Sequence, residues 1–220
     1  MKLHHIRKVV ADRLGHLIES PPQIVRKTFF GGHFCMESLS GKKTVYLTFD
    51  DGPIPESTPW LLDVLGRYDI KATFFMVGDN VRKYPQLYEL VIARGHKAGN
   101  HTMHHLNGLL VPTSRYVADV FEAEKYIDSR LLRPPHGWMR VPQRLALKRD
   151  FQIMMYDVVT RDYSKFVTAE RVVENVMRHT RPGSIIVFHD SLKSIDKLKS
   201  ALPESIEWLK NNGYSFATIE

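Results

Sequence analysis

The sequence predicts an α/β domain in which about seven short parallel strands close, or nearly close, into a (β/α) barrel. Three observations predict it. Short apolar segments alternate with amphipathic ones about seven times over residues 44–220 without internal repeats, and that alternation requires mostly parallel pairing with right-handed crossovers. Residues with chemical potential, Asp50-Asp51, His101, Arg133 and His189, follow at least four different strands; an open sheet gathers its loops at one switch point, whereas a barrel gathers them around one rim. A chain of 220 residues fits one such domain and is long enough to bury a core.

In chain order, residues 1–19 place Leu3, Ile6, Val10, Leu14 and Leu17 three and four apart among Lys2, Arg7, Lys8 and Arg13. This reads as a basic amphipathic helix stopped by Pro21-Pro22. It suits packing on the domain as an N-terminal helix, and its basic face also suits peripheral contact with an anionic membrane. Residues 22–43 read as irregular, with Phe29, Phe30 and Phe34 available to cover the base of the domain. The expected division is therefore an extension over 1–43 and the α/β domain over 44–220.

Thr44-Val-Tyr-Leu-Thr-Phe-Asp-Asp-Gly-Pro53 is the first strand and its exit turn, with Val45, Leu47 and Phe49 on one face. A helix capped by Thr58-Pro59 runs to about Tyr68, followed by a strand over 72–77 and a single helix from about Asn80 to Ala93, ended by Gly95. His96 to His101 is a short strand. Further helices are expected near 114–129, 142–148, 168–177 and 195–209, and strands at 131–133, 151–156, 184–189 and 215–219.

The formal charge is +7, of which residues 1–43 hold +5. The excess thus belongs to the extension rather than to a site, no zinc-finger or RNA-binding signature is present, and no nucleic-acid partner is expected. Cys35 is the single cysteine, which excludes an intrachain disulfide. No apolar run reaches 18 residues, and Arg7, Lys8, Asp12 and Arg13 interrupt any secretory leader. The expectation is a cytoplasmic protein or one peripheral to a membrane.

The chemistry concentrates at strand exits. Neighbouring strand positions point opposite ways, so Asp50 and Asp51 can take different partners, one facing a substrate and one a metal. His101-Thr-Met-His-His105 puts two imidazoles four apart; if 101–105 begins a helix, His101 and His105 share a face. With Asp51 they would form a two-histidine, one-carboxylate set suited to zinc or iron, with His104 an alternative to His105. Arg133-Pro134-Pro135 offers a five-donor fork on a rigid turn, able to hold Asp50 ionised. After two prolines without donors, the N–H of His136 is the first available to a developing oxyanion. His189 leaves an apolar strand toward the site. Asp162 could orient a histidine or pair with an arginine, and Asp157 is the lesser candidate.

Thr48-Phe-Asp-Asp51, His101-Thr-Met-His-His105, Arg133-Pro-Pro135, Asp162-Tyr163 and Ile186-Val-Phe-His-Asp190 together resemble the five ordered motifs of the NodB-like polysaccharide deacetylases, carbohydrate esterase family 4. The resemblance covers about residues 44–220. It implies a distorted (β/α) barrel that hydrolyses N- or O-acetyl groups of carbohydrates, commonly N-acetylglucosamine polymers. It also implies Asp51, His101 and His105 as ligands of a divalent metal such as zinc, Asp50 as general base and His189 as general acid. Arg133 matches the arginine associated with the base, and the His136 N–H the oxyanion donor. Val159 stands where many members carry aspartate, His136 where tyrosine is usual and Tyr163 where tryptophan is common. A deacylase of a lipid-linked or small amide, and a metal-containing sugar-binding protein without catalysis, are the alternatives; the presence of both Asp50 and His189 speaks for catalysis.

Overall fold

The computed structural model describes residues 32–36 and 43–220; the expected basic helix over 1–19, and Phe29 and Phe30, lie outside them. The elements are β1 (Thr44–Asp50), α1 (Thr58–Arg67), β2 (Thr73–Met76), α2 (Gly78–Lys83), α3 (Pro85–Ala93), β3 (Lys97–Asn100), α4 (Thr113–Glu124) and β4 (Leu131–Leu132). They continue with a 3-10 turn (Pro135–Gly137), α5 (Val141–Leu147), β5 (Gln152–Ile153), β6 (Val158–Val159), α6 (Ala169–His179), β7 (Ile185–His189), α7 (Ile195–Asn211) and β8 (Ser215–Phe216).

Seven parallel strands in the order β5-β4-β3-β2-β1-β7-β6 curl into an incomplete barrel flanked by helices. All strands run the same way, so every β-to-α loop leaves the same end. β1 is central, with Asp50 in register with Phe75 of β2 and His189 of β7. The short segment 32–36 lies across the far strands: His33 bridges Met154 beside β5, and Cys35 bridges Ser184 beside β7.

Alternation along β1 separates two functions. Val45, Leu47 and Phe49 face the helices in the larger apolar cluster, where Phe49 stacks between Phe74 at 5.0 Å and Phe188 at 5.9 Å. Burial of each such side chain contributes about 1.5–3 kcal/mol. Tyr46, Thr48 and Asp50 point the other way: Tyr46 packs beside Phe75 and Met154, and Thr48 and Asp50 both reach Arg133. A second cluster, formed by Tyr116, Val120, Leu132, Leu147, Phe151 and Ile153, receives Phe34.

Three sequence expectations are corrected here. The helix expected from Asn80 to Ala93 is two, because Pro85 has no N–H and forces Tyr84 out of the helical region, to φ −129° and ψ 57°. The strand expected over 151–156 pairs with β4 only at Gln152–Ile153. Beyond it, Met155 donates to His33 O, and the carbonyls of Met154 and Met155 accept from Arg133, so that stretch leaves the ladder. β6 is unforeseen; two residues are too few to show a period. The last strand, expected over 215–219, is β8, which pairs with Thr44–Val45 off the seven-strand path.

Candidate active site

Among the described residues, Arg133 is the largest fully buried side chain. Its guanidinium lies 4.0 Å from the centroid of the Phe75 ring. It donates to Asp50 Oδ1 and Thr48 Oγ1 at 2.7 Å each, to Met155 O at 2.9 Å and to Met154 O at 3.3 Å. Thr48 relays the anchoring by donating to Ile186 O. Gly99 makes room for this stack, since a Cβ there would lie 2.5 Å from the Phe75 ring. Asp50, itself buried, is therefore gripped by one oxygen while Oδ2 stays toward the strand exit, 4.0 Å from His101 Nε2.

Asp51 does not simply alternate away from Asp50. It follows β1 with φ 82°, a left-handed turn that brings its carboxylate to the same imidazole, 3.7 Å from His101 Nε2 and 3.1 Å from His105 Nε2. Asn80 fixes the turn by donating to Asp51 O. Gly52 must lack a side chain, because a Cβ would fall 2.2 Å from Asp190 Oδ2. Asp190 is in turn held by the hydroxyls of Ser57 and Thr58.

Residues 101–105 do not begin a helix. Thr102 and His105 take φ 64° and 54°, and this coil, rather than an i,i+4 face, returns His105 to His101 with ring centroids 5.1 Å apart. His104 turns away: its Nδ1 lies 2.6 Å from Asp119 Oδ1, and Asp119 Oδ2 accepts the N–H groups of Met103 and His104. His105 is therefore the member facing Asp51. Asp119 is a brace that the motif reading missed; its signal was an acid at buried spacing in α4, with Tyr116, Val120 and Ala123.

The donor set fits a divalent metal. His101 Nδ1 lies 2.8 Å from Arg133 O, which places the ring proton there and leaves the Nε2 lone pair toward Asp51. Burial lowers the His101 pKa to about 4 despite Asp50 and Asp51 nearby, so the ring is a neutral ligand. Burial works to raise the Asp51 pKa, but its bond with His105 and the positive charge of His189 outweigh it and hold the carboxyl well below its ordinary value. Among the described residues, the ligand atoms of Asp51, His101 and His105 lie within 4.8 Å of one another.

On the opposite wall, His189 leaves β7 with Nδ1 2.7 Å from Asp162 Oδ1, and its N–H donates to Asp162 Oδ2 at 2.7 Å. Burial would lower the His189 pKa, yet the adjacent Asp162 carboxylate and the more distant Asp51 and Asp50 raise it to about 9. The loop carrying Asp162 is pinned from α7, where Lys197 Nζ donates to the carbonyls of Asp162 and Ser164. Asp157 is elsewhere, in a two-point pair with Arg181. Val159 is buried against Val187 in the sheet, and Arg133 and Asp162 have their partners without an acid there.

His136 takes φ 60° in the turn after Arg133-Pro134-Pro135. The turn's own bonds are donated by Gly137 and Trp138, which leaves the His136 N–H outside them. Its ring meets His105 edge-on at 4.7 Å, and Tyr163 meets His189 likewise at 4.6 Å. The structure thus gathers Asp50, Asp51, His101, His105, Arg133, His136, Asp162 and His189 at one end of the sheet.

Residues 38–154 match the family model described as polysaccharide deacetylase. A Bacillus cereus peptidoglycan-N-acetylglucosamine deacetylase is 31% identical over 196 residues, covering 86% of this chain and 92% of that protein. A Bradyrhizobium chitooligosaccharide deacetylase is 35% identical over 160 residues, 69% of this chain and 73% of its own. The crystal structure of the Bc1960 peptidoglycan N-acetylglucosamine deacetylase superposes with a TM-score of 0.81 at 31% identity, covering 90% of this chain and 94% of that one.

Proposed function

The chain belongs to the polysaccharide deacetylase family, and from that premise we propose that it removes the acetyl group from N-acetylglucosamine units of an oligo- or polysaccharide, using a divalent metal, zinc by the chemistry of its donors. Relatives named for peptidoglycan and chitooligosaccharide deacetylation support the substrate class. The observation that carries the reading is the pairing of two carboxylates at one strand exit: Asp50 tied to Arg133, and Asp51 aimed at two histidines.

Asp51, His101 and His105 would hold the metal. When bound, it supplies Lewis acidity toward the acetyl carbonyl and acidifies water. The remaining groups define the proton traffic. Asp50, with Oδ1 occupied by Arg133, uses Oδ2 to take a proton from the attacking water as the new C–O bond forms. The His136 N–H donates to the developing oxyanion. His189, with Nδ1 committed to Asp162, presents Nε2 and delivers its proton to the sugar nitrogen as the C–N bond breaks. The products are acetate and a free amino sugar.

The test is acetate release by zinc-loaded protein from N-acetylglucosamine oligomers of increasing length, beside the Asp50→Asn variant. Release by the parent that falls about 10²-fold or more in the variant supports the assignment. Undiminished release by the variant would sink the base, and no release at any length would sink the glucosamine substrate.

A further inference from the structure

The end of the sheet that carries the site also carries a surface with no role in the chemistry above. Of the large apolar side chains exposed among the described residues, Leu109, Leu110, Trp138, Tyr163, Phe166 and Leu192 all lie in β-to-α loops at that end. Three stand well out: Leu110 is 80% exposed, Phe166 84% and Leu192 64%. They occupy both sides of the site. Arg140 ties the Leu109–Leu110 loop to the turn bearing His136 by donating to the carbonyls of Gly108, Leu109 and Val111. On the other side Lys197 fixes the 162–164 loop that leads to Phe166.

The charges of these loops are one-sided. Segments 101–112, 133–140, 160–168 and 190–194 contain two acids, Asp162 and Asp190, both fully buried. Their exposed ions are basic: Arg140, held on the carbonyls named above, Lys165, with Nζ 5.3 Å from the Phe166 ring, and Lys193, next to Leu192. The exposed acids nearest them are Glu56, between β1 and α1, and Glu170 and Asp196, in the first turns of α6 and α7. A sugar chain is gripped by aromatic faces and hydrogen-bond donors, and Leu110 and Leu192 offer neither. Leucine, phenylalanine and tryptophan beside lysine are instead what the boundary between headgroups and acyl chains takes up, and each basic group near it gains from anionic lipid.

We propose that this rim docks the catalytic end of the domain on an anionic lipid bilayer, with Leu110, Phe166 and Leu192 entering the interface and Lys165 and Lys193 meeting lipid phosphates. Docking is independent of the deacetylase reading, but it would aim the site at sugar held close to a membrane surface.

The experiment is flotation of the full chain with vesicles of phosphatidylcholine, with or without an equal part of phosphatidylglycerol. The parent should float with the anionic vesicles and about 10-fold less with the neutral ones. The triple variant Leu110→Ser, Phe166→Ser, Leu192→Ser and the double variant Lys165→Ser, Lys193→Ser should each lose about 10-fold or more of the anionic binding. Ile92→Ser, on α3, should leave it unchanged. Far-ultraviolet circular dichroism and acetate release from a soluble oligosaccharide show that the variants are folded, and keep this result separate from the fate of the substrate assignment. A parent that stays with the pellet, or a triple variant that floats like the parent, overturns the proposal; the latter outcome would place membrane contact elsewhere, as in the basic 1–19 segment.

Discussion

Arg133 Nη1 and Asp50 Oδ1 lie 2.7 Å apart with both side chains almost entirely withdrawn from solvent. Removing one partner strands the other charge, at a cost of about 3–5 kcal/mol, whereas removing both can approach neutrality. Arg133→Met should therefore lower the urea midpoint sharply, Asp50→Asn less so, and the double variant should recover much of the loss while remaining inactive. A strictly additive cycle of unfolding free energies would show that the pair is not coupled, and that the carbonyls of Met154 and Met155 carry Arg133 instead.

The three proposed metal ligands predict a different signature. His101→Ala and Asp51→Asn should each reduce zinc content, read by plasma mass spectrometry after dialysis, together with turnover. His104→Ala should leave the metal in place, because that ring is committed to Asp119. Zinc loss in the His104 variant equal to that in the His101 variant would mean that the second imidazole has been misassigned.

Asp162 is expected to act through His189. The carboxylate holds the imidazole protonated up to about pH 9, and an adjacent opposite charge typically moves a pKa by about 1–3 units. Asp162→Asn keeps the shape and removes the charge. Its alkaline limb of kcat should fall to lower pH by about one unit or more, with zinc content unchanged. A profile superimposable on that of the parent would remove His189 as the proton donor.

Much of the site was legible because its residues sit where strands end: Asp50, Arg133 and His189 close apolar runs, and His101 follows the short segment Lys97–Asn100 ahead of its paired histidines. The backbone paths between them were not. Asp51 and the Thr102–His105 coil depend on φ angles of 82°, 64° and 54° in residues other than glycine, and nothing in side-chain periodicity reports these. β6 was hidden for a related reason: Val158 and Val159 form a strand through pairing with Ile186 and Val187, a contact remote in sequence. The supports Asn80, Asp119 and Lys197 were likewise unreadable as a set, since each reaches a loop from a helix belonging to another part of the chain.

Away from the site, His96 predicts how the fold responds to acid. Its Nδ1 accepts the Ala72 N–H at 3.1 Å, and its ring packs edge-on against Phe74 at 5.3 Å. Burial, aided by the positive charges of Lys71 and Arg94, lowers its pKa to about 4. The neutral ring is thus the folded form, and below about pH 6.5 the unfolded chain gains a proton that the folded chain refuses. This contribution to stability is present above pH 6.5 and is lost as pH falls toward 4, by at most about 1.4 kcal/mol per pH unit. His96→Asn retains an acceptor for Ala72 but cannot titrate. It should be less stable than the parent at pH 7, through lost packing, and should lose less on going to pH 5. Equal losses in urea midpoint for the two proteins would show that His96 is not the titrating group.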